Sequence, residues 1–278
     1  MNSKITSLSD RGHTSPRFGR PARRTALLAA VVTAAALALT ACQGSGGGSG
    51  AASAGSTPAA DRDSHAKPHK LLWMGDSIGE AQAPALGAAM KAAEAEFTSM
   101  AAAGGGGVVG EVASPTWDAL PKQLASVKPD VVAYQVTTYD WGTSEEQRAA
   151  YERLVKTVNE AGADLLLVSA PPFKIDDFYK PHEAAIKSAP RSAQAVAAKH
   201  PDKVHFLDAT ALWGTDGTAA KAQRSKDGIH SCQQGSAAFA HWFGEQLKKR
   251  YGFTPAPVGQ WATGAWTGDK VYGQLGCR

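Results

Sequence analysis

Short runs of hydrophobic residues predict five β-strands between residues 70 and 207. The runs at residues 130–136 and 164–169 are nearly continuous, which is typical of strands covered on both faces of a parallel sheet. The runs at residues 70–74 and 203–207 are shorter candidates, and residues 96–100 are a weaker one. The pattern therefore indicates a mainly parallel sheet.

A helical period separates these runs. It is clearest over residues 144–161, where Thr143 and Glu146 suit a capping box and Gly162 ends the helix. A final helix is predicted over residues 236–250. The apolar face of the clearest helix contains Ala150, Leu154, Val155 and Val158. Strands alternating with helices predict a doubly wound α/β sandwich, in which ligands bind beyond the carboxyl ends of the strands.

The amino-terminal segment has the pattern of an export signal. Residues 1–24 contain six Lys or Arg residues and one Asp, and an uncharged apolar run follows at residues 26–39. This is typical of a secretory signal, and the run is too short to span a bilayer as a helix. The run ends in Leu-Thr-Ala-Cys42, which resembles the bacterial lipobox. We predict a signal peptide over residues 1–41 and lipidation of Cys42; an ordinary signal peptide with an incidental cysteine is the alternative.

The segment after the signal has the composition of a tether. Residues 42–66 are rich in Gly, Ser, Ala, Thr and Pro, which bury too little apolar surface to fold. The folded domain is then predicted over residues 67–278, anchored through the lipid to the outer face of the cell membrane or elsewhere in the cell envelope. Arg23 and Arg24 leave export by the twin-arginine route open beside the general route.

The positive net charge of the chain comes from the leader. The whole chain has 29 Lys and Arg against 25 Asp and Glu, a formal net charge of +4. The leader contains six of the basic residues and one acidic residue, so the remainder has a net charge of −1. Nucleic acid is therefore not an expected partner. We expect a monomer that meets the membrane through its lipid anchor.

Two polar motifs follow the pattern of a nucleophile and its base. Gly75-Asp76-Ser77 comes directly after the first predicted strand, where helix amides can stabilise an anion. Asp227 precedes His230 by three residues, a spacing that lets the carboxylate reach Nδ1 and leaves Nε2 to take a proton from a serine. The alternative is a turn at Asp227 with a capping or core histidine.

With these motifs the chain resembles the SGNH hydrolases, also called GDSL-type, over residues 70–249. The resemblance implies a flavodoxin-like three-layer sandwich with a central parallel sheet, and esterase or acyl-transfer activity. It implies Ser77 as the nucleophile, His230 as the general base and then acid, and Asp227 as the residue that orients His230.

The resemblance also implies three donors to the oxyanion. They are the Ser77 amide, a glycine amide after the second strand and an asparagine side chain after the third. Among Gly104–Gly107 we choose Gly105, although four glycines could equally form a plain flexible loop. This chain has Tyr139 in the asparagine position, and a phenol differs from a carboxamide in reach and direction. Asp140 is expected to line the substrate site, with a turn carboxylate as the alternative.

The cysteines agree with export. If Cys42 is lipidated, Cys232 and Cys277 remain as an even pair in an oxidising compartment, which predicts a disulfide. Two free buried thiols are the alternative. In the tail, Trp261, Trp266 and Tyr272 could stack on sugar rings or pack a carboxyl-terminal arm onto the domain.

These observations lead to one main functional hypothesis and two alternatives. No metal-binding motif or dinucleotide fingerprint is evident, so we predict no metal and no cofactor. The main hypothesis is an exported serine esterase that cleaves O-acyl esters, with O-acetyl as one possibility, on a small-molecule or carbohydrate substrate. The alternatives are an O-acyltransferase acting on envelope polysaccharide and a non-catalytic envelope binding protein on the same scaffold.

Overall fold

The computed structural model describes residues 69–277. The predicted signal peptide, the tether and the lipidation of Cys42 lie outside these residues. The strands are β1 (Lys70–Met74), β2 (Glu96–Ser99), β3 (Val131–Gln135), β4 (Asp164–Val168) and β5 (Val204–Leu207). The helices are α1 (Ser77–Ala92), α2 (Ser114–Val127), α3 (Ser144–Glu160), α4 (Glu183–Ala197), α5 (Thr210–Trp213), α6 (Gln233–Tyr251) and α7 (Lys270–Gln274).

The five strands form one parallel sheet in the order β2-β1-β3-β4-β5. The chain runs from β1 outward to β2 and then returns to the other side of β1 to form β3. This reversal of direction creates a switch point at the carboxyl end of β1, which is where ligands bind in open α/β sheets. The first residues after β1 therefore lie where a ligand is expected to bind.

Helices cover both faces of the sheet. Leu71 and Trp73 of β1 point to one face, where α1 and α6 pack, while Leu72 and Met74 point to the other, where α2, α3 and α4 pack. Alternate side chains of a strand point to opposite faces, so a strand between two helical layers must be apolar throughout. The predicted three-layer α/β sandwich with a central parallel sheet is confirmed.

Local capping explains where the helices begin. In α3, Thr143 and Glu146 form the predicted capping box, with the Thr143 hydroxyl accepting from the Glu146 amide at 3.2 Å. Helix α1 begins at Ser77 because the Asp76 side chain caps it and accepts from the Ile78 amide at 2.9 Å. A helix that starts immediately after the strand places Ser77 in its first turn.

The carboxyl-terminal segment packs as an arm against α1 and α6. Trp261 and Tyr272 are buried, and the Tyr272 hydroxyl donates to the Ala81 carbonyl at 3.0 Å. Cys232 and Cys277, 45 residues apart, form the predicted disulfide. The tail aromatics thus serve packing. Among residues 69–277, no helix has the length and apolar character needed to cross a membrane.

We expect the disulfide to contribute substantially to stability. Closing a loop of 45 residues removes chain entropy from the unfolded state worth about 4 kcal/mol in the loop-entropy model. Urea unfolding of the purified domain should therefore show a lower midpoint with reductant present. The double variant Cys232→Ser/Cys277→Ser should match the reduced protein and be insensitive to reductant; equal midpoints for oxidised and reduced wild type would contradict the expectation.

Candidate active site

Ser77 lies at the switch point of the sheet with its side chain partly exposed. It is the first residue of α1, and Asp76 is the N-cap. The first amides of a helix have no acceptor within the helix and carry the positive end of its dipole. An anion forming beside Ser77 would therefore meet a favourable field and a free amide.

Ser77, His230 and Asp227 form a continuous hydrogen-bonded relay. His230 Nε2 lies 2.7 Å from Ser77 Oγ, and His230 Nδ1 lies 2.7 Å from Asp227 Oδ2. The His230 side chain is 14% exposed, so the imidazole is largely shielded yet open toward Ser77. The structure thus brings together, at hydrogen-bonding distance, the three residues that the two motifs singled out.

Asp227 is held in place by donors of its own loop. Its Oδ1 accepts from the Ser225 hydroxyl at 2.5 Å and from the Ile229 and His230 amides at 2.7 and 3.1 Å. Partial burial opposes ionisation, but the hydrogen bonds from Ser225, His230 and Ile229 outweigh it and lower the pKa of Asp227. The carboxylate is therefore ionised at neutral pH and can fix the proton on Nδ1, which leaves Nε2 as an acceptor for the Ser77 hydroxyl.

In the glycine-rich loop after β2, the structure does not support Gly105 as the oxyanion donor. The Gly105 amide donates to the Ala102 carbonyl at 3.3 Å, and no atom lies within 4 Å of a Cβ built on Gly105. Gly106 instead packs on the strand that leads to Ser77: with φ +78°, its Cβ would lie 1.9 Å from the Gly75 carbonyl oxygen. Gly106, and not Gly105, is therefore the glycine that lies against the segment leading to Ser77.

Asp140 also has a different environment from the one expected. Its side chain has no exposed surface, so it does not line an open substrate site. Oδ1 accepts from the Val108 amide at 3.0 Å, and Oδ2 accepts from the Thr137 amide at 3.1 Å. The Tyr134 hydroxyl lies 2.7 Å from both oxygens, and the Tyr151 hydroxyl lies 3.0 Å from Oδ2. Asp140 thereby joins the glycine-rich loop to the loop after β3 and to α3.

The environment around Asp140 shifts the pKa values of three ionisable side chains. Burial raises the pKa of Asp140, and the hydrogen bonds from Tyr134, Val108, Thr137 and Tyr151 offset part of that rise. Burial, together with the Asp140 charge, raises the pKa values of Tyr134 and Tyr151 well above the ordinary tyrosine value. Both phenols therefore stay protonated and act as donors to the carboxylate.

A second buried carboxylate connects the loop after β3 to the nucleophile. Asp76 Oδ2 accepts from the Thr138 amide and hydroxyl, both at 2.7 Å, while Oδ1 caps α1. Burial raises the pKa of Asp76, and the hydrogen bonds from Thr138 and Ile78 act in the opposite direction. Thr138 therefore fixes the position of the residue immediately before Ser77.

Tyr139 belongs to a wall of aromatic side chains beside the relay. Its ring lies 5.2 Å from Trp141 and 6.4 Å from Phe178, measured between ring centroids. The Tyr179 ring lies 6.3 Å from the Tyr139 ring between centroids, and burial raises the pKa of the Tyr179 phenol. We define the aromatic wall as Tyr139, Trp141, Phe173, Phe178, Tyr179 and His182. Tyr139, which the resemblance placed in the asparagine position, is thus part of an aromatic surface.

Motif reading did not find the residues that support the site. Thr138, Tyr134 and Tyr151 are polar groups within apolar patterns, where packing alone would account for them. Of these three residues, only Tyr151 has a sequence signal of its burial. It lies three residues before Leu154 and four before Val155, on the buried face of α3. Within residues 69–277, no three His, Cys, Asp or Glu side chains are grouped so that they could hold a metal ion.

Comparison with solved structures identifies the fold. A protein from Slackia heliotrinireducens assigned to the SGNH hydrolases is 20% identical, with a TM-score of 0.50, covering 64% of this chain and 97% of its own. A GDSL-like lipase from Bacteroides thetaiotaomicron is 13% identical, with a TM-score of 0.51, covering 65% and 88%. A protein from Desulfitobacterium hafniense assigned to the G-D-S-L family is 15% identical, with a TM-score of 0.51, covering 64% and 99%.

The chain therefore has the fold of the SGNH, or GDSL-type, hydrolases, as the motifs predicted. At these identities the likeness defines the architecture. No protein-family model and no curated protein sequence matches the chain. An activity depends on the geometry of the site and does not follow from the fold.

Gly105 and Gly106 allow a matched test of the role of the glycine-rich loop. Gly106→Ala would force a Cβ against the Gly75 carbonyl at a positive φ, whereas Gly105→Ala meets open space. We expect Gly106→Ala to slow the reaction of Ser77 with an activated acyl ester by roughly 10²-fold or more, and to lower the thermal midpoint. Gly105→Ala should stay near wild type in both measurements. Equal tolerance of the two substitutions would refute this placement.

We expect that asparagine cannot replace Asp140 without a loss of stability. Each carboxylate oxygen accepts a backbone N–H, so either orientation of a carboxamide sets its NH₂ against a fixed donor. We expect Asp140→Asn to lower the free energy of unfolding by about 1–3 kcal/mol or more. Tyr151→Phe removes one of several donors and should cost about 1 kcal/mol. Urea titration measures both, and a smaller loss for Asp140→Asn than for Tyr151→Phe would contradict the assigned role.

Proposed function

We propose that the protein is a serine esterase that cleaves O-acyl esters through an acyl intermediate on Ser77. The observation that carries this proposal is the relay from Ser77 Oγ through His230 to Asp227, with 2.7 Å at each step, at the first turn of a helix. A serine hydroxyl is a poor nucleophile until a base removes its proton. Here the base is in contact with the hydroxyl and its tautomer is fixed.

The reaction follows from these contacts. As Ser77 Oγ attacks the ester carbonyl, His230 Nε2 takes the hydroxyl proton, and Asp227 stabilises the imidazolium that forms. The amides of Ser77 and Gly106 would hold the negative oxygen of the tetrahedral intermediate. When the intermediate collapses, the ester C–O bond breaks and His230 returns its proton to the departing alkoxide. Water, activated by the same base, then releases the acid and restores Ser77.

The oxyanion site differs in its third donor. Ser77 begins α1 and Gly106 packs against Gly75 nearby, but the position after β3 holds Tyr139 within the aromatic wall. Losing one oxyanion donor costs roughly 10²- to 10³-fold in rate in serine enzymes. We expect a slow esterase for this reason.

The setting of the activity follows from the leader sequence. We propose that the enzyme is exported, tethered through Cys42 in the cell envelope, and directed at O-acylated carbohydrate or small molecules. Similar structures include one named a GDSL-like lipase, which supports ester cleavage in general.

An O-acyltransferase is the second candidate because the aromatic wall places partly exposed rings, on which an acceptor sugar could stack, beside the relay. The exposed ring of Phe178, 57% accessible, lies at its rim. The same acyl intermediate would then pass its acyl group to a sugar hydroxyl in place of water. Product analysis with an acyl donor and an oligosaccharide separates the two, since a hydrolase yields free acid alone.

The esterase proposal predicts a large effect at one serine. Ser77→Ala should reduce the hydrolysis of p-nitrophenyl acetate by roughly 10³-fold or more and abolish labelling by a fluorophosphonate probe. Ser126→Ala, at an exposed position of α2, is the matched control and should behave like wild type. Unchanged hydrolysis after Ser77→Ala would rule out the assignment, and a wild-type protein without labelling would favour a binding protein.

A further inference from the structure

A basic cavity lies beside the loop that carries Asp227 and His230. It encloses about 470 Å³, and its lining comes from the loop after β4 and from the segment between β5 and α6. Within the described part of the chain, this lining contains two cations, Lys174 and Arg224, and no carboxylate. A cleft lined by charge of one sign concentrates ligands of the opposite sign. The cavity is therefore suited to an anionic group.

Lys174 contributes an exposed cation whose stem is fixed on the Asp227–His230 loop. Its Cβ and Cδ lie 3.5 and 3.8 Å from a Cβ built on Gly228, and its amide donates to the Gly228 carbonyl at 3.2 Å. Among residues 69–277, no ion pair includes Lys174. The protein thus holds the stem of this side chain and leaves its ammonium group to pair with a ligand.

Arg224 contributes a second cation, and the protein holds it in place with neutral groups. Its two terminal nitrogens donate to the carbonyls of Pro172 and Ala219. These carbonyls belong to the two segments that line the cavity, and neither neutralises the guanidinium. Nε is buried and has no hydrogen-bond partner in the described residues. Burial lowers the pKa of Arg224 and the Asp216 charge opposes this shift, so the guanidinium stays charged at neutral pH.

Carboxylates close to the lining in sequence have donors of their own. Asp216 Oδ1 accepts from the Thr218 amide and hydroxyl, both at 2.8 Å. Asp227 is engaged by His230, and Asp176 Oδ1 accepts from two amides of its own loop. These acids are occupied locally, which leaves the positive charge of the cavity available to an external anion.

The cavity adjoins the base of the relay. Ser225 and Gly228 line it, and the Ser225 hydroxyl donates to Asp227 at 2.5 Å. His230 lies two residues beyond Gly228 and is 2.7 Å from Ser77. Several residues therefore separate the cavity from the nucleophile. An anion held there is either a free ion or a substituent several bonds away from a reacting ester.

We propose that this cavity is an anion site in which Lys174 and Arg224 take a carboxylate or phosphate group. Ammonium and guanidinium groups both form charge-assisted hydrogen bonds with such oxygens. Two sources supply this chemistry: an acidic substituent of the ester substrate, and a free anion in the medium. The site itself goes beyond the proposed esterase function, and only its use by a substrate rests on that function.

Inorganic phosphate tests the site without any reaction. A ligand that binds only the folded state stabilises it, so about 50 mM phosphate at constant ionic strength should raise the thermal midpoint of the wild-type protein by about 2–4 °C. Lys174→Met should abolish this rise. Lys221→Met makes the same change of charge at an exposed position outside the lining and should keep it. No rise in wild type, or equal rises in the two variants, would overturn the proposal.

Paired esters then distinguish the two sources. The monoester p-nitrophenyl adipate has a free carboxylate, and p-nitrophenyl hexanoate is a neutral ester of the same length. On the alcohol side, 4-acetoxybenzoate and its methyl ester form the matching pair. If the substrate carries the anion, kcat/KM corrected for spontaneous hydrolysis should be roughly tenfold higher for the anionic member of one pair. Lys174→Met should remove this advantage without changing the neutral ester, and Lys174→Arg should retain it.

The remaining outcomes separate the site from the esterase function. Equal kcat/KM values within both pairs, together with a phosphate shift that requires Lys174, would assign the site to a free anion. Failure to hydrolyse any of the four esters would reject the esterase function, and the phosphate measurement would still decide the anion site.

Discussion

The edge of the sheet that carries Ser77 depends on a carboxylate buried without exposed surface, that of Asp140. Burying a charge is costly unless donors replace the lost water, so the surrounding segments must supply them in fixed positions. The glycine-rich loop supplies the Val108 amide, the loop after β3 supplies the Thr137 amide, and β3 and α3 supply phenols. One group thereby sets the spacing between two loops that carry no regular structure of their own.

A second buried carboxylate, that of Asp76, helps to position Ser77 in the same way. Asp76 caps α1 with one oxygen and takes two hydrogen bonds from Thr138 with the other. The nucleophile is therefore not placed by the helix alone. It is held between the end of β1 and the loop after β3, and the donors that position it are kept from substrate. A rigid, satisfied polar network beneath a reactive group is what preorganised catalysis requires.

The elements that the sequence predicted well are those governed by local pattern. Continuous apolar runs located β3 and β4 to within a residue or two, and the Thr143–Glu146 capping box fixed the start of α3. The Ser77 and Asp227–His230 motifs were readable because each depends on short spacing. The sequence does not distinguish Gly105 from Gly106, because a glycine run carries no marker of which residue meets a distant segment; that contact is set by long-range packing against Gly75. Asp140 was misplaced for the same reason, since its partners lie up to 32 residues away in sequence.

The relay joins residues that are 153 positions apart, and the helices that carry or follow them, α1 and α6, cover the same face of the sheet. Because β1 lies inside the sheet, pairing β1 with β3 also closes a long loop. Such a topology folds late and cooperatively, since most of its contacts reward the chain only after distant segments have met. Reactivity of Ser77 would therefore report complete folding, because a chain that has folded only in its first half lacks His230.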